Sequence, residues 1–188
     1  MSDNRDGNSV FTAQQANAQG FSTRNVMKDD FGMEVPVEAV PLPSEGKIYP
    51  ADSSSYNKET IEIKAMTARE EDILTSRALI KKGTVISELL RSCIVDKTID
   101  VERLISGDRN ALMTAIRITG YGSEYKVEVN CPECDEKNSP EFKLSDLPIK
   151  RLSIDPVNLG ENAFEYELPV SKKKVVFRFL TGRDETNM

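Results

Sequence analysis

The apolar spacing of this chain changes from helical to alternating near Gly122, and that change constrains the fold more than any other feature. From Thr67 to that point apolar residues recur every three or four positions; downstream they alternate. A strand, then helices, then strands defines an α+β fold rather than a doubly wound sheet. The helical part opens after a short alternating strand, Thr60-Ile61-Glu62-Ile63-Lys64-Ala65-Met66. Thr67-Ala68-Arg69-Glu70 fits a capping box, and Ile73, Leu74, Leu79 and Ile80 follow at helical spacing. One helix is predicted from Thr67 to Gly83, with Glu70, Glu71 and Asp72 at its positive end and Lys81 and Lys82 at its negative end. A second covers 84–94, placing Val85, Ile86, Leu89, Leu90 and Cys93 on one side. A short helix is predicted over 101–105, stopped by Ser106-Gly107. A further one is capped by Asp108 and ends at Gly120-Tyr121-Gly122.

The β part is antiparallel by its turn chemistry. Tyr125 to Asn130 alternates strictly and runs into Cys131-Pro132-Glu133-Cys134. Further strands are predicted at 142–144, 164–168 and 175–180, with Lys172-Lys173-Lys174 as a solvated hairpin tip. The expected organisation is an extended or disordered arm over 1–40 and an α+β domain over 41–182. Within that domain a helical unit occupies about 67–120 and a β region 124–181, and a tail of 183–188 follows. The tail also resembles the lead-in to another helix. The arm is polar, yet it carries Phe11, Phe21, Val26, Met27, Phe31 and Met33, more apolar residues than a solvating tail requires. Between Val35 and Pro50 four prolines favour an extended lead-in, broken by a Ser44-Glu45-Gly46 turn.

Composition removes several functions. The 188 residues include no histidine, so catalysis or metal binding through imidazole is excluded. A net charge of -6 disfavours non-specific binding to nucleic acid or anionic membranes. No run approaches the length of a membrane span, and no signal-type apolar stretch opens the chain, so the expected site of synthesis is the cytoplasm. Catalytic residues are not nominated: Glu70-Glu71-Asp72 is explained by its place in a helix first turn, and no Gly-rich phosphate loop is present. The one chemical motif is Cys131-Pro-Glu-Cys134, two corners of a tetrahedral Zn²⁺ site. Only Cys93 remains as a further cysteine. Three completions are open: Cys93 with a carboxylate, two chains sharing one ion, or a turn without metal. As a core residue Cys93 needs no ligand role.

Taken in order, several segments are familiar. They are Leu42-Pro43-Ser44-Glu45-Gly46-Lys47-Ile48-Tyr49-Pro50, Met66 to Leu74, and Leu79-Ile80-Lys81-Lys82-Gly83-Thr84-Val85, then Gly107-Asp108-Arg109-Asn110-Ala111-Leu112, Gly120-Tyr121-Gly122 and the Cys131/Cys134 knuckle. Over about 40–182 the chain resembles the T4-type bacteriophage baseplate protein family, associated with the baseplate hub and its assembly. The resemblance implies a non-enzymatic structural part of a contractile-tailed phage baseplate, in the hub or wedge region, carried on the virion tail. Its implied partners are other baseplate or tail subunits in an oligomeric assembly. The arm lies outside the resemblance; its own extended, apolar-bearing character predicts that residues 8–35 contact another subunit. The alternatives are a hub-assembly chaperone absent from the mature virion and a zinc-ribbon adaptor that binds nucleic acid.

Overall fold

The computed structural model describes residues 26–28 and 32–188. Most of the expected arm therefore lies outside the described residues. The architecture is α+β. Three antiparallel strands, β1 (Val26–Lys28), β2 (Glu34–Pro41) and β3 (Thr60–Lys64), form a sheet in that spatial order. Helices follow as α1 (Ala68–Thr75), α2 (Arg77–Lys82), α3 (Val85–Cys93) and α4 (Ser106–Tyr121). Then come three two-stranded ribbons: β4 (Glu124–Lys126) with β7 (Glu141–Lys143), β5 (Val129–Asn130) with β6 (Lys137–Asn138), and β8 (Phe164–Glu167) with β9 (Lys174–Phe177). The last element is α5 (Gly182–Thr186).

Alternation decides the face that β3 buries. Ile61 and Ile63 face inward, Thr60 and Glu62 face solvent, and the register sets Val40 opposite Ile61. Against this face pack Leu89, Leu90 and Cys93 of α3 and Leu112, Ala115 and Ile116 of α4. Ile94, Ile99, Val101, Leu104 and Ile105 from the connection between these helices complete the core. Phe164 is the one residue of the ribbons fully buried in it.

Several boundaries differ from the sequence expectation, each for a local reason. The first helix is two helices, because Ser76 leaves helical geometry (φ -68°, ψ 105°) and becomes the residue before α2. Thr75 bonds back to the carbonyls of Glu71 and Asp72, and a Thr-Ser pair supports a helix interior poorly. Gly83 ends α2 in the left-handed region, as its position predicts. The helix expected at 101–105 is a turn. Asp96 accepts the Thr98 N–H and Asp100 accepts the Glu102 N–H, both at 3.0 Å, offering the backbone an alternative to helix. Ser106 and Gly107 begin α4 instead of ending a helix. The alternating run 125–130 is split between β4 and β5. The last residues, expected as a tail, include α5.

The turn after β2 has a tightly constrained backbone. Glu45 and Gly46 both have positive φ, 53° and 73°. A Cβ on Gly46 would overlap the backbone N of Lys58 and lie 2.7 Å from its carbonyl oxygen. Gly83 has a similar φ of 70° but open space around it. Gly83→Ala is therefore expected to cost about 1–2 kcal/mol through backbone strain alone. Gly46→Ala adds overpacking against rigid backbone and is expected to cost at least about 3 kcal/mol. Urea unfolding of both variants checks this; equal losses would refute the role given to the Lys58 contact.

Candidate functional site

The first turn of α4 organises the polar interior. Its leading N–H, on Ser106, is taken by the Leu180 carbonyl at 2.9 Å, and Ile105 bridges to Thr181. The helix start thus has a backbone partner, and Asp108, expected as its cap, points inward instead. Its Oδ1 accepts the Ser44 N–H at 2.9 Å, while Oδ2 accepts the Ser44 and Tyr49 hydroxyls at 2.5 Å each. The Tyr49 oxygen in turn accepts the Ile105 N–H at 3.2 Å. Burial pushes the Asp108 carboxyl above its ordinary range, and the bonds from Ser44 and Tyr49 offset this only in part. Burial, then the Asp108 charge, hold the Tyr49 phenol far above its usual value.

Arg109, the next residue, is also buried and reaches the opposite side. Its Nε donates to Glu185 at 3.0 Å, Nη1 to the Val101 carbonyl at 2.8 Å and Nη2 to Ser87 Oγ at 3.3 Å. Gly182 packs directly on the guanidinium, where a Cβ would sit 2.7 Å from Cζ. The same segment is fixed by a Thr181/Asp184 capping box and by two bonds from Arg178 to Asp184, at 2.7 and 2.8 Å. That pairing, more than any other contact, holds the Asp184 carboxyl well below the carboxylate range.

A third buried group is Glu70. It closes the predicted capping box with Thr67, accepting the Thr67 N–H at 2.9 Å, but it also accepts Lys64 Nζ at 2.8 Å and Ser92 Oγ at 2.6 Å. One carboxylate therefore ties β3, α1 and α3 together. Burial alone would raise its pKa; the bonds from Lys64, Ser92 and Thr67 outweigh that and hold it at about 2. Beside it lies a cleft of about 440 Å³ lined by Lys28, Lys64, Arg69, Arg91 and Lys97 against Glu88. Three of its cations are engaged by the fold: Lys64 with Glu70, Arg91 with Glu88 and Glu102, and Lys97 with three carbonyls at the end of α3.

The outer surface has a different character. The ribbons expose Tyr125, Val129, Phe142, Tyr166, Leu168 and Val176, and Val170 at the last hairpin is 94% exposed. On β8 and β9 the rings of Phe164 and Phe177 stack with centroids 5.6 Å apart, and Phe179 meets Phe164 edge-on at 4.9 Å. That cluster fastens one end of the hairpin; Lys172 turns its tip, and Tyr166 and Val176 stay outside.

The three cysteines separate. Cys93 is buried in the core, where burial first and the Glu70 charge second push its thiol up to about 12. Cys131 and Cys134 sit on the turn between β5 and β6. Among the described residues, no group of three or more cysteine, aspartate or glutamate side chains can hold a metal ion. Cys93 and the knuckle are thus not brought together in one site. The sequence shows the Thr67/Glu70 box but not the distant partners of Glu70, Asp108 and Arg109, which lie 22 to 76 residues away.

The described residues thus form an α+β base with paired buried polar groups, and two-stranded ribbons that carry exposed apolar side chains among their charged ones. Residues 38–188 match the model of the T4 bacteriophage base plate protein family, and the chain belongs to that family. Neither the comparison with curated proteins nor that with solved structures finds a match. Membership carries a structural role in the phage baseplate, with other baseplate subunits as partners and the virion tail as location. Among the described residues no helix is long and apolar enough to cross a membrane.

Glu70 provides a test of this construction. Its folded pKa of about 2 lies below the ordinary 4.5, so its stabilisation is present above pH 4.5 and disappears as the pH falls toward 2. Glu70→Gln is expected to lose about 1–3 kcal/mol at neutral pH. Chemical denaturation across the acid range should show wild type and variant converging; a gap that stays constant would contradict the assignment.

Proposed function

We propose that this chain is a structural component of the hub or wedge region of a contractile-tailed phage baseplate, made in the host cytoplasm and retained in the particle. The observation that carries the reading is the contrast between base and ribbons. Asp108, Arg109 and Glu70 lock the base, while Tyr125, Phe142, Tyr166, Val170 and Val176 are presented to solvent. Two-stranded ribbons are marginal alone in water, and exposed apolar side chains on them suit burial against a neighbouring subunit. The N-terminal arm adds a second contact, with Phe11 and Phe21 as its apolar residues.

The arm contact needs a boundary. Residues 26–28 pair with β2, and Val35 is buried, so a deletion through residue 35 would damage the sheet. Removing residues 1–25 leaves both in place. The truncated chain is expected to keep its thermal midpoint within a few degrees and to be lost from purified virions. Quantitative mass spectrometry of those virions is the readout. Wild-type peptides at stoichiometric copy number support a resident component; their absence from finished particles assigns the chain to hub assembly as a chaperone. Normal incorporation of the truncated chain would remove the arm from the interface.

A further inference from the structure

The turn between β5 and β6 is built as a ligand loop. The register pairs Val129 with Asn138 and Asn130 with Lys137, leaving 131–136 as the tip. The Cys131 N–H donates to the Glu136 carbonyl and the Asp135 N–H to the Cys131 carbonyl, both at 2.9 Å. Asp135 takes a positive φ of 57°, which folds the chain back over Cys131. The turn closed in this way leaves both thiols at the surface, Cys131 half-buried and Cys134 exposed, where a metal ion can reach them, whereas Cys93 lies in the core.

One chain supplies only two ligands here, because no third cysteine or carboxylate joins them among the described residues. A structural Zn²⁺ site needs four. We propose that the Cys131–Cys134 turn is half of a tetrahedral Zn²⁺ site completed by the same turn of a second copy of this chain. Two further observations favour a second copy. All residues of β4, β5, β6 and β7 are exposed, and the Tyr125 and Phe142 rings pair at 5.3 Å on this ribbon without cover. An isologous contact places the same apolar strip of each chain against the other. The tip is also acidic, with Glu133, Asp135 and Glu136 beside the thiols, so two tips repel until a dication lies between them. The association is therefore metal-dependent. It does not depend on whether the chain belongs to the hub, the wedge or an assembly intermediate.

The test uses the purified full chain under a non-thiol reductant, with ZnCl₂ or with CoCl₂ as a spectroscopic substitute. Sedimentation velocity is expected to show the mass doubling on zinc addition and reverting with EDTA. Elemental analysis of the dimer should give about one Zn²⁺ per two chains, and Co²⁺ should give tetrahedral thiolate absorption. Cys131→Ser and Cys134→Ser should each abolish metal retention and dimerisation while leaving the thermal midpoint of the metal-free chain unchanged, since both residues lie away from the core. Cys93→Ala should retain both. The proposal is overturned by a zinc-loaded monomer, by failure to retain zinc, or by a dimer that survives EDTA or the Cys131→Ser change.

Discussion

A carboxylate removed from water without a cation beside it is expensive, and Asp108 is such a group. Its compensation comes from three donors on one nine-residue stretch: the Ser44 N–H, the Ser44 hydroxyl and the Tyr49 hydroxyl. That requirement dictates the path of the chain from Leu42 to Pro50, including the positive φ of Glu45 and Gly46. It also fixes Ile105, whose N–H is held by Tyr49, and so sets where α4 begins. Glu70 meets the same problem differently. It has Lys64 as counter-ion, so its pKa falls to about 2 where that of Asp108 rises. The two carboxylates thus respond to acid in opposite directions. Protonating Glu70 dissolves an ion pair, whereas protonating Asp108 relieves a buried charge.

Arg109 extends the control of α4 to the far end of the sequence. Adjacent residues on a helix point about a quarter-turn apart, so Asp108 and Arg109 hold two different segments from one turn. Asp108 holds the loop before β3, and Arg109 holds Ser87 of α3, the Val101 carbonyl and Glu185 of α5. Gly182 is demanded by the close approach of the guanidinium, not by its own backbone angles. The family match running through residue 188 includes this segment.

Much of the fold can be read from local patterns, and the failures share one cause. The Thr60–Lys64 alternation, the Thr67/Glu70 box, the Gly83 stop and the change to period two after Gly122 involve neighbours in sequence, and these features appear in the structure. Asp108 was expected as a cap because a cap is the local use of an aspartate near a helix start. Its real partners lie 64 and 59 residues away, a distance over which periodicity carries no information. The same holds for Arg109 and Glu185, and for Glu70 with Ser92. The 101–105 helix failed differently. Its apolar spacing is acceptable, but Asp96 and Asp100 capture the N–H groups two residues ahead, a competition that side-chain chemistry predicts and periodicity does not.

The division between base and ribbons has a mechanical consequence for a baseplate part. Local opening costs little where buried apolar contacts are few, and much where buried polar groups must be unpaired. In the base, opening β3, α1, α3, α4 or α5 strands Asp108, Arg109 or Glu70. In the β4/β7 and β5/β6 ribbons, the strand pairs rest on a few backbone bonds and on surface ion pairs such as Lys126–Glu141 and Lys137–Glu128, which are individually weak. A subunit of this kind can adjust its contact surface to a neighbour without altering its core. On the proposed function, a neighbouring subunit would supply these ribbons with the second face that their own chain does not provide.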